Sequence, residues 1–179
     1  MSVLINNKKV NFDSNGFPML ISGAEKTGSS FFSLCLLADL FKDGHKVLFI
    51  SAYPMAKEEF KKQIGSNAEN AIIIESGEED DIIKEIKAIT DLEERIVLLK
   101  NIDSYSPKLF DTLSDLKLVI FSGDLDKCEF AASLINKNFP SKIFFSSSKK
   151  FPFTIMPDLT KYSGEMISER HKGIISLDL

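Results

Sequence analysis

A chain of 179 residues that is 44% apolar and 27% charged has the size and composition of one ordinary globular domain, which excludes disordered and fibrous classes. A formal charge of −4 gives no basic footprint and argues against sequence-independent nucleic-acid binding. Ser2-Val3-Leu4-Ile5-Asn6-Asn7 lacks the basic segment and apolar core of a signal peptide, and no apolar run is long enough to span a bilayer. A cytoplasmic protein without membrane attachment is the expectation. Cys35 and Cys128 are expected as buried free thiols within helices, because their spacing supports neither a disulfide nor a metal site.

In chain order, residues 3–5 and 9–12 flank the polar pair Asn6-Asn7, which predicts a small opening hairpin. Asp13-Ser14-Asn15-Gly16 is a turn cluster. Residues 18–21 form a continuous apolar run, as in a strand buried on both faces. The loop Ser22-Gly23-Ala24-Glu25-Lys26-Thr27-Gly28-Ser29-Ser30 follows, and then residues 31–41, apolar almost all round, predict a buried helix capped near Gly44. Residues 47–50 are a second strand, and Pro54 opens a helix that runs to Ile64 and stops at Gly65. Residues 71–74 are a third strand. Ile82, Ile83, Ile86 and Ile89 then recur at helical spacing, and the acids Glu78 to Asp81 suit the positive end of that helix's dipole.

Residues 96–99 are a fourth strand. Ser106-Pro107 reads as N-cap and first residue of a helix carrying Leu109, Phe110 and Leu113. Residues 118–121 are a fifth strand, 126–136 a helix with Phe130, Leu134 and Ile135 inward, and 143–145 a sixth strand. Ser146 to Lys150 reads as a solvated loop. Residues 166–168 and 174–177 bracket His171-Lys172-Gly173 and predict a terminal hairpin or two antiparallel edge strands. Strands alternating with helices imply parallel βαβ units, hence an α/β three-layer sandwich with a mainly parallel central sheet and antiparallel C-terminal strands. Ligands on such sheets bind at the carboxyl ends of the strands: the 22–30 loop, Ser51-Ala52-Tyr53, Lys100-Asn101 and Ser122-Gly123-Asp124.

Gly23 and Gly28 have the spacing of the phosphate-binding G-x-x-x-x-G-K-[ST] loop, and the strand before and helix after supply its context. Ser29 stands where that motif has lysine. With the approach Gly16-Phe17-Pro18-Met19-Leu20-Ile21-Ser22-Gly23 and the next strand Val47-Leu48-Phe49-Ile50-Ser51-Ala52-Tyr53-Pro54, the chain resembles the RecA/KaiC-like branch of P-loop ATPases. The likeness is good over residues 16–122 and loose in the tail. It implies one RecA/KaiC-like domain over residues 1–179, with Gly23, Lys26, Thr27, Gly28, Ser29 and Ser30 as the candidate nucleotide-binding residues and ATP with Mg²⁺ as candidate ligands.

The resemblance also implies charges that this chain lacks. Ser29 cannot neutralise phosphates as the family's lysine does, although Ser30 fits the hydroxyl that ligates Mg²⁺. Lys26 replaces a usual glycine and either swings toward a phosphate or stays solvated. Ala52 and Tyr53 hold the positions of an acidic pair, while Glu58 and Glu59 lie further on, as surface residues. The strand 96–99 ends in Lys100-Asn101 where an aspartate should hold Mg²⁺, and Asp103 is three positions displaced. Lys100 either fills the metal's place or is a structural or exposed lysine. Phosphoryl transfer depends on positioned charge, so losing lysine, base and aspartate together predicts no useful hydrolysis and weak or absent ATP binding.

The expected function is therefore a non-catalytic structural or regulatory subunit with no catalytic residue and no metal ligands assigned. It is expected to assemble with itself or with a related ATPase. Three alternatives stay open: an ATP-binding protein or slow ATPase using Lys26, Ser30 and Asp103; a nucleic-acid-binding relative with a patch at Lys149, Lys150, Lys161, Arg170 and Lys172; and a doubly wound domain whose glycine pair matches by chance.

Overall fold

A computed structural model describes residues 2–5, 8–9, 16–24, 27–65, 70–75, 77–137, 139–145, 163–168 and 172–178. The chain runs through β1 (Ser2–Ile5), β2 (Lys8–Lys9), β3 (Met19–Ser22), α1 (Ser29–Lys42), β4 (Val47–Ser51), α2 (Pro54–Ile64), β5 (Ala71–Ile74) and α3 (Glu79–Ala88). It continues through β6 (Ile96–Lys100), α4 (Pro107–Leu113), β7 (Val119–Gly123), α5 (Ala131–Asn136), β8 (Ser141–Phe144), β9 (Ser163–Ser168) and β10 (Lys172–Asp178). All ten strands join one sheet in the order β2-β1-β10-β9-β8-β3-β7-β6-β4-β5. The run from β8 to β5 is parallel, and the other pairings are antiparallel.

The central strands are apolar on both faces because helices cover both. Along β4, β6 and β7 the side chains of Phe49, Leu98 and Ile120 enter one core with α1 and α2, while Ile50, Leu99 and Phe121 enter the other with α3, α4 and α5. That period of two fixes which residue at each strand end faces which helix layer. α1 is buried on nearly every side, including Phe32, Leu34, Leu37 and Leu40, as its sequence predicts. Among the described residues no helix is long and apolar enough to cross a membrane. Cys35 and Cys128 are buried free thiols, and burial pushes the Cys35 thiol up to about 11, with Asp39 adding to the shift.

A buried guanidinium ties the amino ends of the parallel strands together. Arg95 meets Asp91 through Nε to Oδ1 at 2.8 Å and a terminal nitrogen to Oδ2 at 3.0 Å. Its other terminal nitrogen donates to the carbonyls of Val47 and Asn70 at 3.3 and 3.1 Å. The bidentate fork matches the carboxylate and leaves donors over for the backbone.

Two expectations need correction. The helix expected over residues 126–136 begins only at Ala131, so Cys128 lies in the turns before it. Asp124 bends the chain there, its carboxylate accepting from the Asp126 N–H at 3.1 Å, and Leu125 N–H donates to Ser22 Oγ at 3.4 Å. Such side-chain bonds compete with helix initiation. The terminal hairpin forms, but its strands are not edges. β9 pairs with β8, and β10 pairs with β1 in the register Ser2↔Asp178 to Ile5↔Ile175. Of the opening hairpin, the second strand is described only over Lys8–Lys9, and residues 10–12 lie outside the described residues.

Candidate functional site

The chain reverses its winding direction at β3 and β7. These strands are neighbours, yet the segment after β3 leads to α1 on one face and the segment after β7 leads to α5 on the other. The carboxyl ends beside such a switch point are where an open α/β sheet offers a ligand crevice.

The loop after β3 has the geometry its glycines require. Gly28 has φ 101° and caps α1, a conformation that side chains resist. A Cβ on Gly23 would lie 2.6 Å from Thr27 Oγ1 and 2.8 Å from the Ser29 side chain. The side chains of the loop turn inward. Thr27 Oγ1 donates to the Ala24 carbonyl at 2.7 Å, and Ser29 Oγ donates to the Gly23 carbonyl at 3.3 Å. Ser29, only 4% exposed, thus packs within its own loop. Ser30 is exposed, and its carbonyl accepts from Ser33 Oγ at 3.0 Å. Among the six candidate residues, Gly23, Thr27, Gly28 and Ser29 come together in one closed turn, Ser30 stands outside it, and Lys26 lies outside the described residues. The Gly23 N–H donates to the Gly123 carbonyl at 3.3 Å, fastening β3 to β7.

Next to this turn, the parallel register sets Ser51, Lys100 and Ser122 side by side on β4, β6 and β7. Alternation places all three on the α1/α2 face, two residues beyond Phe49, Leu98 and Ile120. All three are buried, and Lys100 is 5% exposed. Lys100 makes no hydrogen bond or ion pair with the described residues. Burial pushes its ammonium pKa down, opposed by the charges of Glu59 and Asp103. The expectation of an exposed lysine is therefore corrected: the helix layer over this strand end covers most of the side chain.

The neighbouring backbone is pinned around that lysine. Asn101 takes the left-handed conformation at φ 61°, which asparagine tolerates. Ser51 Oγ donates to Asn101 Oδ1 at 3.0 Å and accepts from the Tyr53 N–H at 3.2 Å. Asp103 sits in a 3₁₀ turn at Ile102–Ser104, and its Oδ1 accepts from the Asp124 N–H at 2.9 Å. One carboxylate oxygen is thus engaged in holding the end of β7.

Between Lys100 and the first turns of α2 lies a pocket of about 460 Å³, walled by Tyr53, Pro54, Met55, Ala56 and Glu59. Tyr53 is 52% and Met55 85% exposed. Sequence reading missed this pocket. The available signal was the phase of α2, whose buried residues Ala56 and Phe60 leave Met55 on the outer side. Glu59 is on the surface as expected, but it also forms one wall.

No protein-family model and no curated protein sequence matches the chain. Solved structures do. The pCW3 conjugation coupling protein TcpA, in its monomer form with ATPγS, aligns at a TM-score of 0.62 and 14% identity over 97% of this chain and 64% of that one. This chain therefore spans just under two thirds of that protein's length. The flagellar accessory protein FlaH from Methanocaldococcus jannaschii aligns at a TM-score of 0.50 and 16% identity, covering 83% of this chain and 75% of that one. Likeness at such identities concerns the fold. Both neighbours are P-loop NTPase-type proteins, and a run of six parallel strands with helices on both faces and a glycine-bracketed loop after β3 gives this chain a RecA-like P-loop fold.

Proposed function

We propose that this chain is a single-domain, non-catalytic member of the RecA/KaiC-like P-loop group, a structural or regulatory subunit that binds ATP weakly or not at all. The observation that carries the reading is Lys100, a buried cation at the carboxyl end of β6, where the resemblance calls for the aspartate that holds Mg²⁺. Two positive charges at short range repel, and more strongly where water is excluded. Ser29 adds to it, being short, uncharged and bonded to the Gly23 carbonyl. Ala52 and Tyr53 supply no base. The described residues do not fit Mg²⁺-ATP in the family's manner. The turn keeps its role as the joint between β3 and α1. The expected partners are further copies of the chain or a related active ATPase.

The coupling protein TcpA is seen with ATPγS, which makes ATP the right ligand to test here. Isothermal titration with ATP and Mg²⁺ is expected to show no binding in the low-micromolar range, and a phosphate-release assay no turnover above background. Low-micromolar binding would overturn the proposal in favour of a divergent nucleotide site built on Lys26, Ser30 and Asp103. Light scattering of the purified protein, alone and with candidate ATPases, tests assembly.

A further inference from the structure

A lysine that is 5% exposed and has no hydrogen-bond or ion-pair partner among the described residues, on the wall of a pocket, is a cation awaiting a counterion. Glu59 shares the pocket but lies beyond ion-pair range of Lys100 and is exposed to water. Asp103 is turned to the Asp124 N–H. The side chain is largely covered, no described group pairs directly with its ammonium, and the pocket gives an anion a way to reach it, against the more distant charges of Glu59 and Asp103.

The rest of the pocket limits what could serve. Its volume of about 460 Å³ suits a small molecule. Tyr53 and Met55 present large apolar surfaces to solvent at the rim, and Pro54 and Ala56 continue that surface inward. Tyr53 is fixed in place, its N–H held by Ser51 Oγ at 3.2 Å and its hydroxyl 3.4 Å from Ser104 Oγ. A flat or apolar body could lie on such a wall. An anionic group at its end would reach Lys100, with Glu59 across the pocket disfavouring a second negative charge.

We propose that this pocket binds a small monoanionic or phosphoryl-bearing molecule with an apolar or aromatic body, its carboxylate or phosphate on Lys100 and its body against Tyr53 and Met55. The site is separate from the 23–30 turn. It shares Lys100 with the reading above, and probes without a nucleotide keep its test apart from ATP binding at that turn.

Methyl phenyl phosphate, a monoanion at neutral pH, and benzoate are suitable probes, with benzyl alcohol as the uncharged control, each titrated into the full chain by calorimetry and by amide chemical shifts. Both anions are expected to bind saturably, moving the amides of Tyr53, Met55 and Asn101, while benzyl alcohol binds at least about tenfold more weakly. Preference between the two anions separates a phosphate ligand from a carboxylate one. Lys100→Met is expected to lose at least about tenfold in anion affinity and to leave benzyl alcohol unchanged. Tyr53→Ser, distant from the core, is expected to weaken anions and alcohol alike. Should Lys100→Met fail to fold, the same comparison is made with Lys100→Gln and with Tyr53→Ser. Absence of saturable anion binding up to about 10 mM, or equal anion affinity in wild type and Lys100→Met, would overturn the proposal.

Discussion

Lys100 carries an ammonium between Ser51 and Ser122, just beyond the apolar level of Phe49, Leu98 and Ile120, and the consequence can be measured through pH. Its pKa in the folded chain lies below the ordinary lysine value of 10.5, with burial as the main cause. The unfolded chain therefore holds this proton more tightly, and stability rises with pH across the interval between the folded value and 10.5. Below that interval the penalty is full; above 10.5 lysine is neutral in both states and the penalty is gone. Lys100→Met is expected to stabilise the protein at neutral pH by about 1–3 kcal/mol, the gain shrinking as pH approaches the lysine value. Urea unfolding of both proteins over a pH series checks it; a gain that does not change with pH would mean better packing and not relief of charge. Ser29 poses the opposite case. Ser29→Lys restores the residue of the motif, but it puts a long side chain where Oγ now meets the Gly23 carbonyl. It is expected to cost about 1–3 kcal/mol and to yield no phosphate release, because Lys100, Ala52 and Tyr53 are unchanged.

At the scale of elements, local signals were legible and cross-chain ones were not. Ser106-Pro107 announced the start of α4, and Ser106 Oγ does accept from the Lys108 N–H at 3.2 Å. The acids Glu78 to Asp81, at the start of α3, suit that helix's own dipole. Glu79 does more, its carboxylate accepting from Ser106 Oγ at 2.6 Å and from the N–H groups of Ser106 and Leu109 at 2.9 and 3.1 Å. It caps the neighbouring helix, a role no spacing could show because its partners lie on another element. Glu79→Ala is expected to destabilise the fold by about 1–2 kcal/mol, with faster amide exchange confined to the first turn of α4. Uniform change in exchange across the sheet would refute a capping role. The late start of α5 has the same origin, since Ser22 and Asp124 hold the chain before it through bonds that a helical pattern does not encode. Asp103 belongs here as well: displaced in sequence from a metal position, it serves as an acceptor for the end of β7.

Across the whole molecule, the two chain ends meet in one sheet. β1 and β2 continue a surface begun by β9 and β10, so the terminal hairpin joins the parallel strands at β8 to the opening hairpin. A chain ending before Ser163 would leave β8 with an open edge and β1 paired with β2 alone. Exposed edges of that kind recruit other chains. Such a truncation is expected to lose monodispersity in size-exclusion chromatography with light scattering; a monomer that stays soluble would show the hairpins to be dispensable. The sequence alone determined the alternating strands and helices, because burial on both faces of a strand and around α1 leaves a continuous apolar pattern. It also determined the glycine-bracketed turn, since the conformation of Gly28 and the crowding at Gly23 admit little else. Only the tertiary structure decided that Ser29 folds into its own turn, that Lys100 is buried beside a pocket, and that the termini pair. Those outcomes depend on which strands become neighbours and in what register, and contacts between residues far apart in the chain are not written in the pattern of either one.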